Sequence, residues 1–392
     1  MIKQVISIAA LNLRNIPQRW ASSLVIVIGL GGVVAVFCAL LAMSSGFTST
    51  LESTGSKDNA LIVRGGSQAE LNSALLLDDA TLIKLAPGIR KGADGKPLAS
   101  AEILVITELL RKGDTKNGAN VTLRGVQPDA FALRPKLHIV AGRNFKPGLR
   151  ELIVGEGVIR QFGGAELGKT IRMRGSEWTV VGIFESGDSH DSEIWTDSEV
   201  AQSTFNRRSY SSVLVGLENP AAIDTLRKAL KADPRLNTDV EIEQEYFSDQ
   251  TKQFRRTIGV LAGVVTFIMA LGAIFAALNT MYAAVAARSK EIATLRAIGF
   301  GGFAVLVSVM IEAVALSLVG GLFGAAAAYV LFNDVSLSTL GQNFTQVVFA
   351  FKVTPALVVT GLVIAMIVGF VGGLLPAVRA ARMRVTDALR AG

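Results

Sequence analysis

The sequence predicts an α-helical membrane protein with four transmembrane helices and a large mixed α/β domain inserted between helices 1 and 2. Four long apolar stretches carry this prediction; they occupy residues 24–43, 257–287, 301–332 and 353–378, and contain one charged residue, Glu312. Each is long enough to cross a bilayer core, which takes about 20 apolar residues in a helix. The polar sequence between the first two stretches is long enough for one or two folded modules.

Positive charge flanks these stretches. The net charge of the chain is +7, and the basic excess lies in residues 1–23, 288–300 and 379–392, whereas the 28 basic and 28 acidic residues of 44–256 cancel. Because Lys and Arg accumulate on the cytoplasmic side of membrane proteins, we expect both termini and the 288–300 segment in the cytoplasm. The α/β domain then lies on the outer side. Basic residues grouped beside the membrane do not indicate nucleic-acid binding.

A cleaved signal peptide is the alternative for the first stretch. Basic residues precede it, but its apolar run is longer than the about 7–15 apolar residues of a signal peptide. We therefore expect an uncleaved helix. The predicted divisions are an interfacial helix at 1–20, transmembrane helices at 21–45, 257–287, 301–332 and 353–378, an α/β domain with a stalk at 46–256, a β-rich lobe at about 124–217, a short helix at 288–300, an outer loop at 333–352 and a tail at 379–392.

Within the α/β domain, alternating or β-branched runs bounded by Gly, Asn and Asp predict strands. These runs lie at 60–64, 101–107, 120–126, 152–154, 170–173, 178–184 and 212–217. Helical spacing predicts helices at 79–85 and 221–231. The concentration of strands after residue 120 predicts that the β-rich lobe is inserted into a more helical base.

Two segments of this domain resemble chemical motifs. Residues 163–170 read GGAELGKT and match a phosphate-binding loop, but such a loop follows a strand and opens a helix, whereas here a helix is expected before it and a strand after it. His190 lies among Asp and Ser residues; we weigh a metal site against a solvated loop and favour the loop. With two histidines in the chain, we expect no catalytic site, no metal and no cofactor.

Glu312 lies inside the third apolar stretch. A carboxylate within a membrane is costly and is a functional candidate by default. The alternative is a carboxylate that pairs with a neighbouring helix or is hydrated near the interface.

The segment 288–299 predicts a short amphipathic helix between the second and third stretches. Ile292, Leu295 and Ala297/Ile298 fall on one side and the charges on the other, and Gly299 supplies a C-terminal stop. A helix in this position would transmit a displacement of a cytoplasmic partner to the adjoining helices. The alternative is a membrane-surface turn whose charges only set the topology.

Three sequence motifs of the chain resemble those of one known family. They are Arg288-x-x-Glu291-Ile292-x-x-Leu295-Arg296-Ala297-Ile298-Gly299, Pro376-Ala377-x-Arg379-Ala380-Ala381-Arg382, and Ile311-Glu312-Ala313. With the run LHIVAGRNF at 137–145, they resemble the MacB/FtsX/LolC type of ABC transporter permease over nearly the whole chain. The tail departs from the family pattern, since Met383-Arg384-Val385-Thr386-Asp387 stands where the family has an Asp-Pro step.

The resemblance implies a role for each matched segment. The 288–300 helix would be the coupling helix that docks on an ATPase, through Arg288, Glu291, Ile292, Leu295, Arg296 and Gly299. The matched tail residues are Pro376, Arg379 and Arg382. The domain at 46–256 would be a MacB-like periplasmic core domain.

The resemblance also implies a cellular role. The chain would be a multi-pass permease of the bacterial inner membrane, dimeric with itself or a relative, which couples ATP hydrolysis by a separate ATPase subunit to efflux by mechanotransmission. That subunit, and not this chain, would bind ATP and Mg²⁺. Further partners would be a periplasmic adaptor, an outer-membrane duct and membrane lipids. The alternatives are lipoprotein extraction and a signalling scaffold that activates a periplasmic hydrolase.

Overall fold

The computed structural model describes residues 20–92, 94–113, 118–340 and 346–383. The predicted interfacial helix lies outside the described residues except for Trp20, and so does the tail from residue 384. The chain divides into two compact units. The helical unit contains the described residues up to Ser45, together with Arg255–Val335 and those from Phe351 onward; the α/β unit contains Gly46–Phe254 and the described part of Ser336–Ala350.

The helices vary widely in length. In chain order they are α1 Trp20–Glu52, α2 Leu77–Lys84, α3 Ala130–Leu133, α4 Glu156–Gln161, α5 Ser198–Phe205, α6 Ala222–Ala232, α7 Glu243–Ala287, α8 Ser289–Ala297, α9 Gly302–Phe332 and α10 Pro355–Arg382. Four of those described, α1, α7, α9 and α10, are long and apolar enough to cross a membrane. The prediction of four transmembrane helices is confirmed.

The long helices extend beyond their predicted apolar stretches. Helix α7 has 45 residues and begins at Glu243, so the segment predicted as a stalk and the second stretch form one helix. Helix α1 continues to Glu52, and α10 continues to Arg382 without a break at Pro376, which is buried inside it. Four residues assigned to the tail, 379–382, are therefore helical.

Glycines allow close contacts between helices of the helical unit. A Cβ on Gly324 would lie 2.2 Å from the carbonyl oxygen of Gly31, and one on Gly320 would lie 2.8 Å from that of Val27. Helices α1 and α9 therefore approach within backbone contact, as small residues permit in lipid. Gly369 on α10 packs in the same way against Ser317 of α9, where a Cβ would lie 2.4 Å from its side chain.

The strands of the α/β unit form mainly one sheet. In chain order the described strands are β1 Asn59–Arg64, β2 Leu75–Leu76, β3 Ala99–Leu110, β4 Gly118–Val126, β5 His138–Gly142, β6 Glu151–Gly155, β7 Thr170–Met173, β8 Ser176–Glu185, β9 Glu193–Asp197, β10 Ser209–Tyr210, β11 Ser212–Gly216, β12 Thr238–Ile242, β13 Ser336–Leu340 and β14 Gln346–Ala350. Ten of them pair in the order β12-β1-β11-β3-β4-β9-β6-β8-β5, with β7 on β8. The pairs β4–β9 and β6–β8 are parallel, and the other pairs are antiparallel.

The sheet is not interrupted at the predicted boundary between the helical base and the inserted β-rich lobe. Strand β4 begins at Gly118, before the predicted boundary at 124, and pairs with β3 along its length. Strand β3 in turn pairs with β11, so the sheet is continuous from one side to the other. Two apolar clusters still distinguish the halves: one around β1, β11, α2 and α6, and one around β4, β6, β8 and α4.

Buried charges lie where the two halves of the sheet meet. Arg124 on β4, which is 1% exposed, forms ion pairs with Glu70 at 3.0 Å, Glu102 at 2.8 Å and Glu193 at 2.8 Å. Glu102 also accepts a hydrogen bond from Arg134 at 2.6 Å. Burial opposes ionisation of Glu102, but Arg134 and Arg124 outweigh it and lower its pKa to about 2. Glu102 is therefore ionised at neutral pH.

The predicted outer loop at 333–352 contains a β-hairpin in place of irregular structure. Strands β13 and β14 pair antiparallel, and the hairpin belongs to the α/β unit. The backbone N–H of Val348 donates to the hydroxyl of Ser192 at 2.8 Å. Phe349 is buried, and its ring meets Phe47 edge-on at 5.5 Å, while Phe47 in turn lies 4.1 Å from Phe254.

Candidate coupling site

The predicted coupling helix is helix α8. It starts directly after α7, because Arg288 alone separates Ala287 from Ser289. The backbone carbonyl of Arg288 accepts from the N–H of Ile292 at 2.9 Å, which closes the first turn. Gly299 then adopts a φ of +101°, a left-handed conformation that favours glycine, and ends the helix as predicted.

A buried ion pair fastens the start of α8 to helix α9. The Nη1 of Arg288 donates to Oε2 of Glu312 at 2.7 Å, and their side chains are only 6% and 8% exposed. Oε2 of Glu291 lies 3.8 Å from Nε of the same guanidinium. The alternative in which Glu312 pairs with a neighbouring element therefore matches the structure. Because a buried charge without its partner is very costly, α8 and α9 are held together here.

The buried face of α8 differs in part from the predicted one. Ile292 and Ala293 are buried, and Ile292 belongs to an apolar cluster with residues of all four long helices. Leu295 is half-buried, whereas Ala297 is exposed and Ile298 is 69% exposed, so neither shares the buried face. Arg288, expected on the charged exposed side, is buried instead because Glu312 compensates its charge.

The other side of α8 forms a surface that we call the exposed face. It consists of Lys290, Glu291, Thr294, Ala297 and Ile298. This face mixes two charges with an apolar tip and is continuous along the helix. The charge pattern predicts Lys290 and Glu291 on this side, but the prediction misses Thr294, Ala297 and Ile298. The spacing i, i+4, i+8 of Lys290, Thr294 and Ile298 was the signal for their common side.

The end of α10 contacts the same region. The Nη1 of Arg296 donates to the backbone carbonyl of Met383, just beyond α10. The guanidinium of Arg379 lies 5.5 Å from the ring centroid of Tyr282 on α7, which is cation–π distance. A Cβ on Gly302 would lie 2.7 Å from the carbonyl of Ala381, so α9 begins in backbone contact with α10.

Of the predicted tail residues, only Arg379 makes a described contact in this region. Pro376 is buried within α10, and Arg382 is exposed at its end. The structure therefore joins α7, α8, α9 and α10 through side chains of the predicted site, with Arg288, Arg296 and Arg379 as the three connecting cations.

The predictions for the two motif-like segments of the α/β unit have different outcomes. Helix α4 precedes residues 163–170 and strand β7 follows, so the order that a phosphate-binding loop requires is reversed, as predicted. His190, by contrast, is not in a solvated loop: it is 1% exposed, and its Nδ1 lies 2.9 Å from Asp188. Among the described residues, no group of three or more His, Cys, Asp or Glu side chains is arranged to hold a metal ion.

Two family sequence models match the chain. The MacB-like periplasmic core domain matches residues 20–233, and the FtsX-like permease C-terminal domain matches residues 263–385. The first covers more than half of the chain. The chain therefore belongs to the family of ABC transporter permeases that combine these two domains, and its fold and four long helices fit a multi-pass protein of the inner membrane.

Individual proteins and a solved structure are similar to this chain over different shares of their length. The chain is 23% identical to the uncharacterized ABC transporter permease YvrN of Bacillus subtilis, over 93% of each chain. It is 26% identical to the macrolide export ATP-binding/permease protein MacB of Chlorobium phaeobacteroides, over 96% of this chain but 59% of that protein. The solved periplasmic region of MacB from Actinobacillus actinomycetemcomitans overlaps 50% of this chain with a TM-score of 0.37 and 16% identity.

Proposed function

We propose that the chain is the permease subunit of an ABC transporter of the mechanotransmission type. In this proposal an ATPase subunit docks on the exposed face of α8 and binds the ATP and Mg²⁺. The observation that carries it is the buried Arg288–Glu312 pair, at 2.7 Å, which ties α8 to α9. Because α8 also follows α7 after a single residue, a displacement of α8 acts on both long helices.

The cargo and the further partners belong to the same proposal. Relatives over most of this chain include a protein named for macrolide export, which supports efflux as the direction of transport. We place the chain in the inner membrane with both termini in the cytoplasm, as a homodimer or heterodimer. A periplasmic adaptor, and with it an outer-membrane duct, would receive the substrate from the α/β unit.

The test changes the exposed face and leaves the buried face intact. The permease is purified with its ATPase, and ATP hydrolysis and substrate efflux are measured for Lys290→Ala combined with Ile298→Ala, since neither residue contacts the Arg288–Glu312 pair. We expect efflux per ATP to fall by about tenfold, which corresponds to a loss of about 1.4 kcal/mol in the coupled step. Unchanged efflux per ATP would rule out α8 as the coupling element.

Lys169→Ala provides the matched control. Lys169 is exposed in the segment that resembles a phosphate-binding loop. The proposal predicts that this variant keeps both the ATPase rate and efflux. A large loss of ATPase activity would show that the 163–170 segment takes part in nucleotide binding.

A further inference from the structure

The loop between β8 and β9, residues 186–192, connects two distant parts of the α/β unit, and we call it the junction loop. On one side, the backbone N–H of Ser189 donates to the hydroxyl of Thr54, two residues after the end of α1, at 3.1 Å. On the other side, the hydroxyl of Ser192 accepts from the backbone N–H of Val348 on β14 at 2.8 Å. The junction loop therefore holds the end of α1 and the β13–β14 hairpin together.

A buried pair of opposite charge organises the junction loop. His190 is 1% exposed and Asp188 is 7% exposed, and Nδ1 of His190 lies 2.9 Å from Oδ1 of Asp188. The same oxygen accepts from the backbone N–H of His190 at 3.0 Å and from the hydroxyl of Ser186 at 2.7 Å. The Asp188 carboxylate therefore fixes the conformation of the loop, and a proton on His190 compensates its charge.

The charged groups around His190 favour its protonated form. Burial disfavours a charged ring, but Asp188 outweighs burial and raises the pKa of His190. Glu193 on β9 acts in the same direction, whereas Arg134 opposes it. Glu243, the first residue of α7, lies 3.3 Å from Arg134 and offsets part of that opposition. The result of these opposing charges is a histidine that keeps its proton to a higher pH than usual.

Aromatic rings separate this pair from solvent. The ring of Trp195 lies 5.6 Å from that of His190, and the ring of Phe247 on α7 lies 5.8 Å from it, both close to edge-on. Salt and water screen a buried pair of charges much less than an exposed one. Lys57 and Lys136 line a cavity that also reaches His190, but both are exposed, so their charges are screened. The proton on His190 therefore acts mainly on the buried carboxylate beside it.

We propose that the junction loop is a pH-sensitive latch between the end of α1 and the β13–β14 hairpin. While His190 is protonated, the loop keeps its bonds to Thr54 and Val348. When His190 loses its proton, Asp188 stays buried without the cation beside it, which is costly, and both contacts loosen. The physiological meaning rests on the orientation proposed above, in which this loop lies outside the membrane and responds to the pH of that side.

The direction of the pH effect follows from linkage. A histidine whose pKa is raised in the closed loop stabilises that loop fully below its ordinary value of 6.5. The stabilisation is lost as the pH rises through the raised pKa. The latch is therefore closed in acidic and neutral media and loosened in alkaline media.

Hydrogen exchange of the full chain in detergent, without an ATPase, tests the latch. The amides of Ser189 and Val348 report it directly, because each donates to a hydroxyl across the junction. The reference is the amide of Leu98, which donates to the carbonyl of Arg90 at 2.8 Å elsewhere in the same unit. Between about pH 6 and about pH 9, we expect protection of the two junction amides to fall relative to the reference. The expected fall is about tenfold, which a difference of one pKa unit between closed and open loops produces. Constant relative protection would overturn the proposal.

The two histidines of the chain provide a variant and its matched control. His190→Gln removes the titrating group from the junction loop, whereas His138→Gln removes an exposed histidine of β5. We expect the first variant to lose the pH dependence of Ser189 and Val348 protection and the second to keep it. A dependence that persists in His190→Gln, or disappears in His138→Gln, would show that another group titrates.

A measurement on the unmodified chain keeps the test valid if His190→Gln does not fold. Exchange of the histidine C2 hydrogen, followed by mass spectrometry, gives the protonation midpoint of His190. We expect this midpoint to lie above 6.5 and to coincide with the midpoint for Ser189 and Val348 protection. A midpoint at or below 6.5, or two separate midpoints, would contradict the latch. Either failure leaves the transport proposal standing, since no ATPase enters the measurement.

Discussion

At the scale of single residues, the ion pair between Arg288 and Glu312 decides how α8 is attached. Both side chains are buried, and their charged atoms are 2.7 Å apart. Removing one partner of a buried pair costs about 3–5 kcal/mol, while replacing both with apolar residues of similar volume is often nearly neutral. The pair is therefore a specific connection whose contribution to stability depends on both partners.

This leads to a prediction for single and double variants of the pair. Glu312→Gln should lower the thermal unfolding midpoint of the purified permease strongly, because Arg288 then stays buried and charged. The double variant Arg288→Met with Glu312→Met should unfold closer to the wild-type midpoint than either single change. Differential scanning fluorimetry in detergent provides the measurement. Additive losses in the double variant would show that the two residues do not interact.

The buried carboxylate of Glu102 predicts a dependence on pH. Its pKa of about 2 lies below the ordinary glutamate value of 4.5, so its ionised form stabilises the folded state. This stabilisation is fully present above pH 4.5 and is lost as the pH falls toward 2. Fluorescence of the buried Trp178 and Trp195 should report unfolding of the α/β unit in that window, and Glu102→Gln should flatten this dependence. A midpoint independent of pH between 4.5 and 2 would contradict the assignment.

At the scale of elements, glycine contacts determine how α1 and α9 pack. A Cβ on Gly324 would meet the backbone oxygen of Gly31 at 2.2 Å, so Gly324→Ala must push the two helices apart. We expect a loss of about 1–3 kcal/mol in stability, seen as a lower unfolding midpoint. Gly263→Ala is the matched control, because nothing lies within 4 Å of its Cβ position. Equal effects of the two substitutions would rule out this packing.

The β13–β14 hairpin is a second element with a testable role. Phe349 is 3% exposed and contacts Phe47, so Phe349→Ala removes a buried ring at a cost of about 3–5 kcal/mol. Hydrogen exchange should become faster at the Val348 amide, which bonds Ser192. Leu167→Ala, at a residue 45% exposed in the same unit, should leave that exchange rate unchanged. Protection of Val348 that persists in Phe349→Ala would show that the ring does not hold the hairpin.

At the scale of the whole molecule, the sequence predicted the features that depend on long patterns. Apolar runs report the four long helices directly, because a bilayer imposes a minimum length on them. The pairing of Arg288 with Glu312 was left open, since it depends on how α7, α8 and α9 pack. The short hairpin strands near residue 340 were missed because they lie between two apolar stretches and carry a weak periodic signal. His190 looked solvated because its neighbours in sequence are polar, whereas Trp195 and Phe247 bury it in the fold.

The central claim is that α8 faces the cytoplasm and docks on an ABC ATPase. Its most direct test replaces Cys38, the one cysteine in the sequence, with Ser and introduces either Lys290→Cys or Arg150→Cys, both at exposed positions. A membrane-impermeant maleimide is applied to spheroplasts. We predict that Arg150→Cys reacts at once, and that Lys290→Cys reacts only after permeabilisation and is protected by the bound ATPase. Labelling of Lys290→Cys in intact spheroplasts would contradict the account.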